Sequence, residues 1–403
     1  MEKANKVKGS IFFSIFVAML GLMLIAPIMP PLIRELGLKA GHSGLIISLG
    51  SIMMAVMAPV WGKLSDKLGR KPVILAGFAG MTIACALFAA ALYAGLQGVI
   101  QGGLLLGALI VTRSLIGGFI PAVLSSCQAY MGDITEGEER TKGMALISAA
   151  NGLGLVFGPA IAGAFTLVGL LWPLYFGIVV SAVAFVIAWM SIPAARPVYR
   201  TETTEKLRLK NSGMTSYLFA GMGVMMAIVT LQVVGGFYFQ DILDLSSGAT
   251  ARTVSFGLMA AGIAMLLVQV FQMKKLTWPP RRMIAVGAIF AVVGLLMFLL
   301  PGGLPLYYAA FFVFGAGAGL LMPGFMAGAS LAAGAGKQGG AAGWVASMQG
   351  IAAIIAPLLM TGLYSVNLRI PFALSALLIA VSAAVLGLSR PDKKVALPEA
   401  EAS

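Results

Sequence analysis

The sequence is poor in charged residues. Only 10% of its 403 residues are Asp, Glu, Lys or Arg, while 60% are hydrophobic and the mean hydropathy is +0.98. A water-soluble domain could not keep so much apolar surface away from water. The composition therefore excludes a soluble protein and indicates one that crosses a membrane several times.

Cysteine and histidine are also scarce. Cys85 and Cys127 lie in apolar runs and are typical of small core residues, not of a disulfide framework. His42 lacks the partners that a metal site needs. The phosphate-binding pattern Gly-x4-Gly-Lys-Ser/Thr is missing as well, which argues against ATP-driven work. We therefore expect no metal, no cofactor and no catalytic residues.

Twelve apolar runs of roughly 20 residues are each long enough to cross a bilayer as a helix. The first follows three lysines, but it is too long for a signal peptide and lacks a small-residue cleavage site. The runs lie near residues 10–33, 44–61, 72–94, 101–130, 141–167, 171–192, 214–240, 253–273, 282–300, 304–328, 340–363 and 369–389. The sequence predicts an all-α membrane protein with twelve transmembrane helices.

The basic residues are unequally divided between the two sides of the predicted membrane. Of 27 lysines and arginines, one lies inside a span (Arg113) and four lie on the side away from the termini: Arg34, Lys39, Arg252 and Arg369. The positive-inside rule then places both termini in the cytoplasm, in a cytoplasmic (inner) membrane. The net charge of +13 indicates contact with anionic lipid headgroups, not with nucleic acid.

The chain divides into two halves that resemble each other. A polar linker, 193–213, separates a predicted six-helix bundle at 1–192 from another at 214–403. Three pairs share an offset of 198 residues, namely Asn151 with Gln349, Pro159 with Pro357, and Pro173 with Pro371. These coincidences favour an ancient duplication into parallel repeats, although prolines also recur near helix starts.

The loop between the second and third spans carries the most specific motif. It reads Gly62-Lys63-Leu64-Ser65-Asp66-Lys67-Leu68-Gly69-Arg70-Lys71. This pattern resembles the signature loop of the major facilitator superfamily of transporters, built from two pseudo-symmetric six-helix bundles. The resemblance implies a cytoplasmic gate in which Asp66 is held by Arg70 and by the start of the eleventh span near Gly339. Asp133 and Arg140 resemble its companion charges. The alternative for the Gly62–Lys71 loop is a solvated basic hairpin that only sets the topology. The alternative for Asp133 and Arg140 is a solvated acidic loop.

Arg113 is the only ionisable residue well inside a span, where a lone cation costs at least about 2.5–3.5 kcal/mol. Leu109-x3-Arg113-x3-Gly117-Gly118 resembles the fourth-helix motif of the superfamily, with Ile116 where a glutamine is usual. The resemblance implies a role in proton coupling. A structural cation bound to backbone carbonyls is the alternative.

A glycine motif in the fifth span points to the direction of transport. Gly154-x3-Gly158-Pro159-x3-Gly163 is similar to the antiporter motif of the drug/proton antiporter branch. Small residues let another helix approach closely, and the proline allows a bend. The resemblance implies export, whereas tight packing alone is the alternative.

None of the 14 acidic residues lies in the middle of a span. Asp241, at an outer helix end, is the best candidate for a titrating acid, and a solvated acid is the alternative. Candidate cavity residues, besides Arg113, are Gln128, Asn151, Gln232, Phe237, Tyr238 and Gln349. A cavity with one cation and no central acid favours neutral or anionic cargo, such as a carboxylate metabolite or siderophore.

Taken together, these features predict a proton-coupled exporter of small amphipathic drugs or metabolites that works by alternating access. Its expected partners are a small-molecule substrate, protons and the lipid bilayer, and we expect a monomer. The alternatives are a proton-coupled uptake symporter of the same fold and a membrane receptor that does not transport.

Overall fold

A computed structural model describes residues 2–193, 213–275, 278–334 and 338–388. Within these ranges the secondary structure is entirely helical, and twelve helical segments are long and apolar enough to cross a membrane. The predicted all-α architecture with twelve spans is thus confirmed. The predicted linker, apart from Pro193 and Gly213, lies outside the described residues.

Residues 2–193, the described part of the first half, form seven helices because the first span is broken. Pro27, Pro30 and Pro31 interrupt it, since proline removes a backbone donor and clashes with the preceding turn. The helices are α1 (Glu2–Ile25), α2 (Met29–Glu35), α3 (Ala40–Leu68), α4 (Arg70–Leu96), α5 (Gly102–Asp133), α6 (Gly137–Phe165) and α7 (Trp172–Ser191).

The described residues of the second half form six helices. They are α8 (Met214–Leu243), α9 (Ser247–Lys275), α10 (Pro280–Met297), α11 (Leu304–Ala333), α12 (Gln338–Val366) and α13 (Ile370–Leu388). Pro357 lies inside α12 as Pro159 lies inside α6, and Pro371 occupies the start of α13 as Pro173 occupies that of α7. Prolines paired by sequence offset therefore occupy equivalent helical positions.

The helices pack as two bundles. Helices α1–α7 contact one another and form the amino-terminal bundle, and α8–α13 form the carboxy-terminal bundle. The main contacts between bundles join α3 to α12, α6 to α9, and α2 to α8 and α9. Alternation of direction along the chain places the start of α1 and the end of α13 on one face, which we call the terminal face. The other is the distal face.

Aromatic side chains fill the core of the carboxy-terminal bundle near the distal face. Phe298 stacks on Tyr307 and on Phe372, with ring centroids 5.9 Å and 4.9 Å apart. Tyr238 meets these rings edge-on, is 1% exposed, and donates a hydrogen bond to the Phe298 carbonyl. Its hydroxyl is thereby satisfied inside an apolar core.

Candidate substrate pathway and gates

Helices α3 and α12 meet closely in their distal halves. A Cβ added to Gly44 would lie 2.2 Å from the Thr361 hydroxyl oxygen and 2.5 Å from the Pro357 carbonyl oxygen. One turn further in, the Ser48 hydroxyl donates a 2.6 Å hydrogen bond to the Ile354 carbonyl. Glycine permits this backbone approach, and the contact seals the two bundles together on the distal side.

The same two helices separate toward the terminal face. Ile52, Ala55 and Pro59 continue the side of α3 that carries Ser48, because they follow it at helical spacing. All three are exposed, whereas Ser48 is fully buried. On α12, Ser347 lies two turns before Ile354 and is exposed as well. The interface is therefore closed on the distal side and open toward the terminal face.

Helices α6 and α9 repeat this arrangement. A Cβ on Gly163 would lie 2.6 Å from the Ser255 Cβ, and one on Gly262 would lie 2.8 Å from a Val156 methyl group. Both contacts lie in the distal half of α6. Two symmetry-related helix pairs thus hold the bundles together on the same side.

An ion pair lies at the distal end of this interface. Arg34 of α2 donates two hydrogen bonds, each 2.6 Å, to the two carboxylate oxygens of Asp241 on α8. Tyr364 of α12 donates a third to the same carboxylate. The Arg34 guanidinium lies 5.5 Å from the centroid of the Phe237 ring. The predicted residues Asp241 and Phe237 are therefore brought together, with two partners that the sequence reasoning did not select.

Two pockets adjoin α11. One of about 330 Å³ lies between α11 and α12 and is lined by Met326, Ser330, Ala341, Ala342, Val345, Ala346 and Gln349. A small void of about 50 Å³ lies between the bundles, where Pro159 of α6 faces Gln232 of α8. Gln232 also contacts the Met23 sulfur at 3.7 Å. The predicted cavity residues Gln349 and Gln232 line these two spaces.

Arg113 is buried in α5 and only 6% exposed. Its Nε and Nη1 atoms have no hydrogen-bond partner. The side chain runs beside Gly50 of α3, where an added Cβ would lie 3.3 Å from the Arg113 Cγ. A buried guanidinium with unsatisfied donors is costly, so this group is well suited to meet a ligand or a water molecule.

The charged loop after α3 forms a cluster on the terminal face. Arg70 pairs with Asp66 at 2.5 Å and with Asp133 at 2.9 Å, and it donates a 2.8 Å hydrogen bond to Ser65. Gly69 has a φ of 91°, a backbone conformation that favours glycine, and it joins α3 to α4. The predicted Asp66–Arg70 pair is present, and Asp133 joins it.

This cluster stays within the amino-terminal bundle. Asp66 is 51% exposed on its side chain, and the partner that the structure gives it, Arg70, belongs to the same bundle. The expected bond from Asp66 to the start of α12 is not formed among the described contacts, because the bundles are apart on this side. Arg140 is exposed, with its Nη2 3.8 Å from a Cβ placed on Gly132. The predicted contact between Asp66 and Arg70 is thus present, whereas the predicted contact with α12 is not among those that the structure describes.

A sequence profile described as "Major Facilitator Superfamily" matches residues 11–351 and again 276–403. The chain belongs to this superfamily. Its members are transporters and not enzymes, which confirms the resemblance carried by the loop at Gly62–Lys71. As a superfamily member it carries a small-molecule substrate as a multi-pass membrane protein.

Relatives of this superfamily protein include several resistance proteins. It is 26% identical to multidrug resistance protein 2 of Bacillus subtilis, over 92% of this chain and 93% of that protein. It is 24% identical to the quinolone resistance protein NorA of Staphylococcus aureus, over 91% and 92%. A shorter match, 32% identical, covers 40% of this chain and 38% of the class C tetracycline resistance protein of Escherichia coli.

Solved transporter structures share the fold. The nucleoside transporter NupG superposes with a TM-score of 0.74 at 12% identity, over 96% of this chain and 99% of that one. A bacterial homologue of the human lysosomal transporter Spinster, in an inward-facing state, gives 0.73 at 13% identity, over 95% and 96%. At these identities the likeness concerns the fold.

Within this superfamily fold, the fifth-span motif serves two interfaces. A Cβ on Gly154 would lie 2.6 Å from the Met19 Cβ, and one on Gly158 would lie 2.4 Å from the Met23 Cβ. At both glycines, α1 therefore packs closely against α6 within the amino-terminal bundle. At Gly163, by contrast, α9 of the other bundle packs against α6. The motif therefore contributes both to packing inside one bundle and to contact between the bundles.

The remaining predicted residues lie in different places. Tyr238 is buried in the aromatic core of its bundle and lines neither of the two pockets described above. Gln128 is exposed on α5, and Asn151 is partly buried with a buried, unpartnered Oδ1. Lys71 donates a 2.7 Å hydrogen bond to the Trp189 carbonyl and ties α4 to α7.

Sequence reasoning missed Arg34 and Tyr364. Arg34 was counted only as one of the few basic residues on the distal side, yet its rarity there was itself a signal. On the terminal face, Lys8 lies 2.6 Å from Glu139, and the hydrogen bond from its ammonium group lowers the pKa of the exposed Glu139 carboxyl. This pair ties the first turns of α1 to α6.

Proposed function

We propose that the protein is a proton-coupled exporter of small amphipathic drugs or metabolites that works by alternating access. The proposal rests above all on the one-sided interface, closed at Gly44 and Ser48 and open beyond Ile52. Three relatives whose names denote drug resistance support export over uptake. With both termini in the cytoplasm, as the basic residues favour, the open side faces the cell interior.

The charge distribution supports neutral or anionic cargo. The pocket of about 330 Å³ is lined by apolar side chains together with Ser330 and Gln349, and no acid is among its lining residues. Arg113 holds unpartnered N–H donors that a carboxylate would satisfy. A lipophilic cation would meet no opposite charge in that pocket or at Arg113. A carboxylate metabolite or a siderophore could pair with the Arg113 guanidinium.

Coupling requires a group whose proton affinity changes between the two access states. Arg113 and Asp241 are the proposed coupling residues, because one is buried without partners at mid-membrane and the other bridges the bundles. Asp66, Arg70 and Asp133 would form the terminal-face gate once the bundles close there. In this proposal the proton gradient supplies the work.

Energised everted membrane vesicles test the proposal. Adding a transported compound should release protons from the vesicle lumen, and vesicles that carry Arg113→Ala should release them at least about tenfold more slowly. Proton-driven accumulation of the compound in whole cells would indicate an uptake symporter instead. If no compound of a broad panel caused proton release from vesicles or accumulated in cells, the result would favour a receptor that does not transport.

A further inference from the structure

We propose that Arg34, Asp241 and Tyr364 form a distal latch that holds the bundles closed on the distal face and must break once in each transport cycle. Arg34 belongs to the amino-terminal bundle, and the other two belong to the carboxy-terminal bundle. Arg34 and Tyr364 thereby become positioning residues for transport. The inference rests on the alternating access proposed above.

The geometry of the latch is that of a strong ion pair. Arg34 presents two N–H groups to the two oxygens of Asp241, both at 2.6 Å, which is the bidentate arrangement that gives the strongest and most directional guanidinium–carboxylate contact. The ion pair joins the two bundles. The pairs Lys8–Glu139 and Arg70–Asp133, in contrast, stay within one bundle.

Aromatic side chains orient the ion pair. Tyr364 is 5% exposed and donates its hydroxyl proton to the Asp241 carboxylate. Its ring lies 6.0 Å from that of Phe237, which is fully buried and lies under the Arg34 guanidinium. Cation–π contact and the hydroxyl bond therefore fix both charges in one orientation.

The exposure of the pair suits a contact that must break. The side chains of Arg34 and Asp241 are 35% and 28% exposed. A fully exposed pair would stabilise the closed face very little, and a fully buried pair would leave two charges without water when it opened. At intermediate exposure the pair stabilises the closed face, and water can still solvate both charges after separation.

The position of the latch makes it obligatory for opening. Tyr364 lies one helical turn beyond Thr361, which packs on Gly44. Asp241 follows Gly236, where an added Cβ would lie 2.6 Å from the Pro30 Cβ. Any motion that separates these helix pairs on the distal side also separates Arg34 from Asp241.

Weakening the latch should therefore shift the balance between the two access states. Distal sites should become more accessible and terminal-side sites less accessible. General loosening of the fold would instead increase access at both faces. The opposite sign of the two changes distinguishes a latch from a merely structural contact.

Two serine-to-cysteine reporters measure this shift. Ser48→Cys lies in the closed distal interface, and Ser347→Cys lies on the exposed terminal half of α12. In lipid nanodiscs, where both faces meet a hydrophilic maleimide, Asp241→Asn should raise labelling of the first reporter about tenfold and lower that of the second. Native Cys85 and Cys127 are buried and should be replaced by alanine.

Asp244→Asn is the matched control, because it makes the same change three residues away at an exposed position. Asp244 has a φ of 50°, which asparagine tolerates. Tyr364→Phe should shift both reporters in the same directions as Asp241→Asn, but less. The charge exchange Arg34→Asp with Asp241→Arg should restore the original labelling.

The latch is refuted if Asp241→Asn labels like Asp244→Asn, or if it raises labelling at both reporters. Failure of the charge exchange to restore labelling would also count against it. These measurements need neither substrate nor a proton gradient. A latch that behaves as expected in a protein without proton-linked export would reject the exporter and keep the latch.

Discussion

At the residue scale, the Arg113 guanidinium is a charged group buried inside a membrane-spanning helix, which is costly. Two of its nitrogen atoms have no hydrogen-bond partner, and the side chain is 6% exposed. Gly50 of α3 leaves room for it, since an added Cβ there would lie 3.3 Å from the Arg113 Cγ and 3.4 Å from its Nη1. A position prepared in this way for a costly charge is better explained by ligand or proton coupling than by packing.

Replacing Arg113 by alanine should strongly reduce gradient-driven export. Loss of charge-assisted hydrogen bonds to a substrate anion corresponds to a fall of about tenfold to a hundredfold in transport rate. Arg113→Lys keeps the charge without the planar fork and should retain a part of the activity. Rates of substrate efflux from loaded, energised cells measure this, and undiminished gradient-driven efflux from Arg113→Ala would remove Arg113 from the mechanism.

A second prediction at the residue scale concerns Asp66 and the rate of turnover. Asp66→Asn removes one of the two carboxylates that hold Arg70, so closure of the terminal face should be impaired while the pocket between α11 and α12 is unchanged. Turnover should fall about tenfold with little change in the apparent substrate affinity. Glu139→Gln, at an exposed ion pair on the same face, is the control. A mutant with normal flux would argue against the gate.

At the element scale, three glycines of α6 allow neighbouring helices to pack closely against it. Gly154 and Gly158 admit α1, and Gly163 admits α9. Gly152, in contrast, meets its nearest neighbour, Leu266, only at 4.0 Å. The four positions on one helix therefore differ in what an added methyl group would displace.

Gly158→Ala should destabilise the protein by about 1–3 kcal/mol, because its new methyl group would overlap the Met23 side chain. Gly152→Ala should be neutral or slightly stabilising, since alanine favours helix and has room there. Thermal unfolding in detergent compares the two variants. Equal midpoints for both would show that α1 does not pack on Gly158 as described.

Hydrophobic length alone predicted all twelve spans, because each must cover the same bilayer thickness. The break between α1 and α2 at Pro27 was not predicted, since an apolar run hides a local interruption. Arg34 and Asp241 could not be paired from sequence either. They are 207 residues apart, and only the approach of the two bundles brings them together.

The side of α8 on which Tyr238 lies could not be predicted from the sequence either. Its sequence neighbours Phe237 and Asp241 face the bundle interface, whereas Tyr238 points into the core of its own bundle, because consecutive helical residues lie about 100° apart. A single sequence without a known interface cannot fix that rotation. Local motifs with special residues, such as Gly69-Arg70, were predictable because their chemistry is confined to one turn.

At the scale of the whole molecule, one pair of helices is in contact on the distal side and separated on the terminal side. Helices α3 and α12 touch at Gly44 and Thr361 and are apart at Ile52 and Ser347. Because each helix is continuous over this length, closure of the terminal face requires opening of the distal face if the bundles move as rigid bodies.

Paired spin labels at the ends of α3 and α12, with Lys39 just before the first residue of α3, test this central claim most directly. One pair, Lys39→Cys with Val366→Cys, reports the distal ends, and the other, Lys67→Cys with Ala342→Cys, reports the terminal ends; all four positions are exposed. When substrate or a change of pH shifts the protein between states, electron–electron distance measurements should show one pair lengthening as the other shortens. Distances that stay fixed, or that lengthen together at both ends, would contradict alternating access by two rigid bundles.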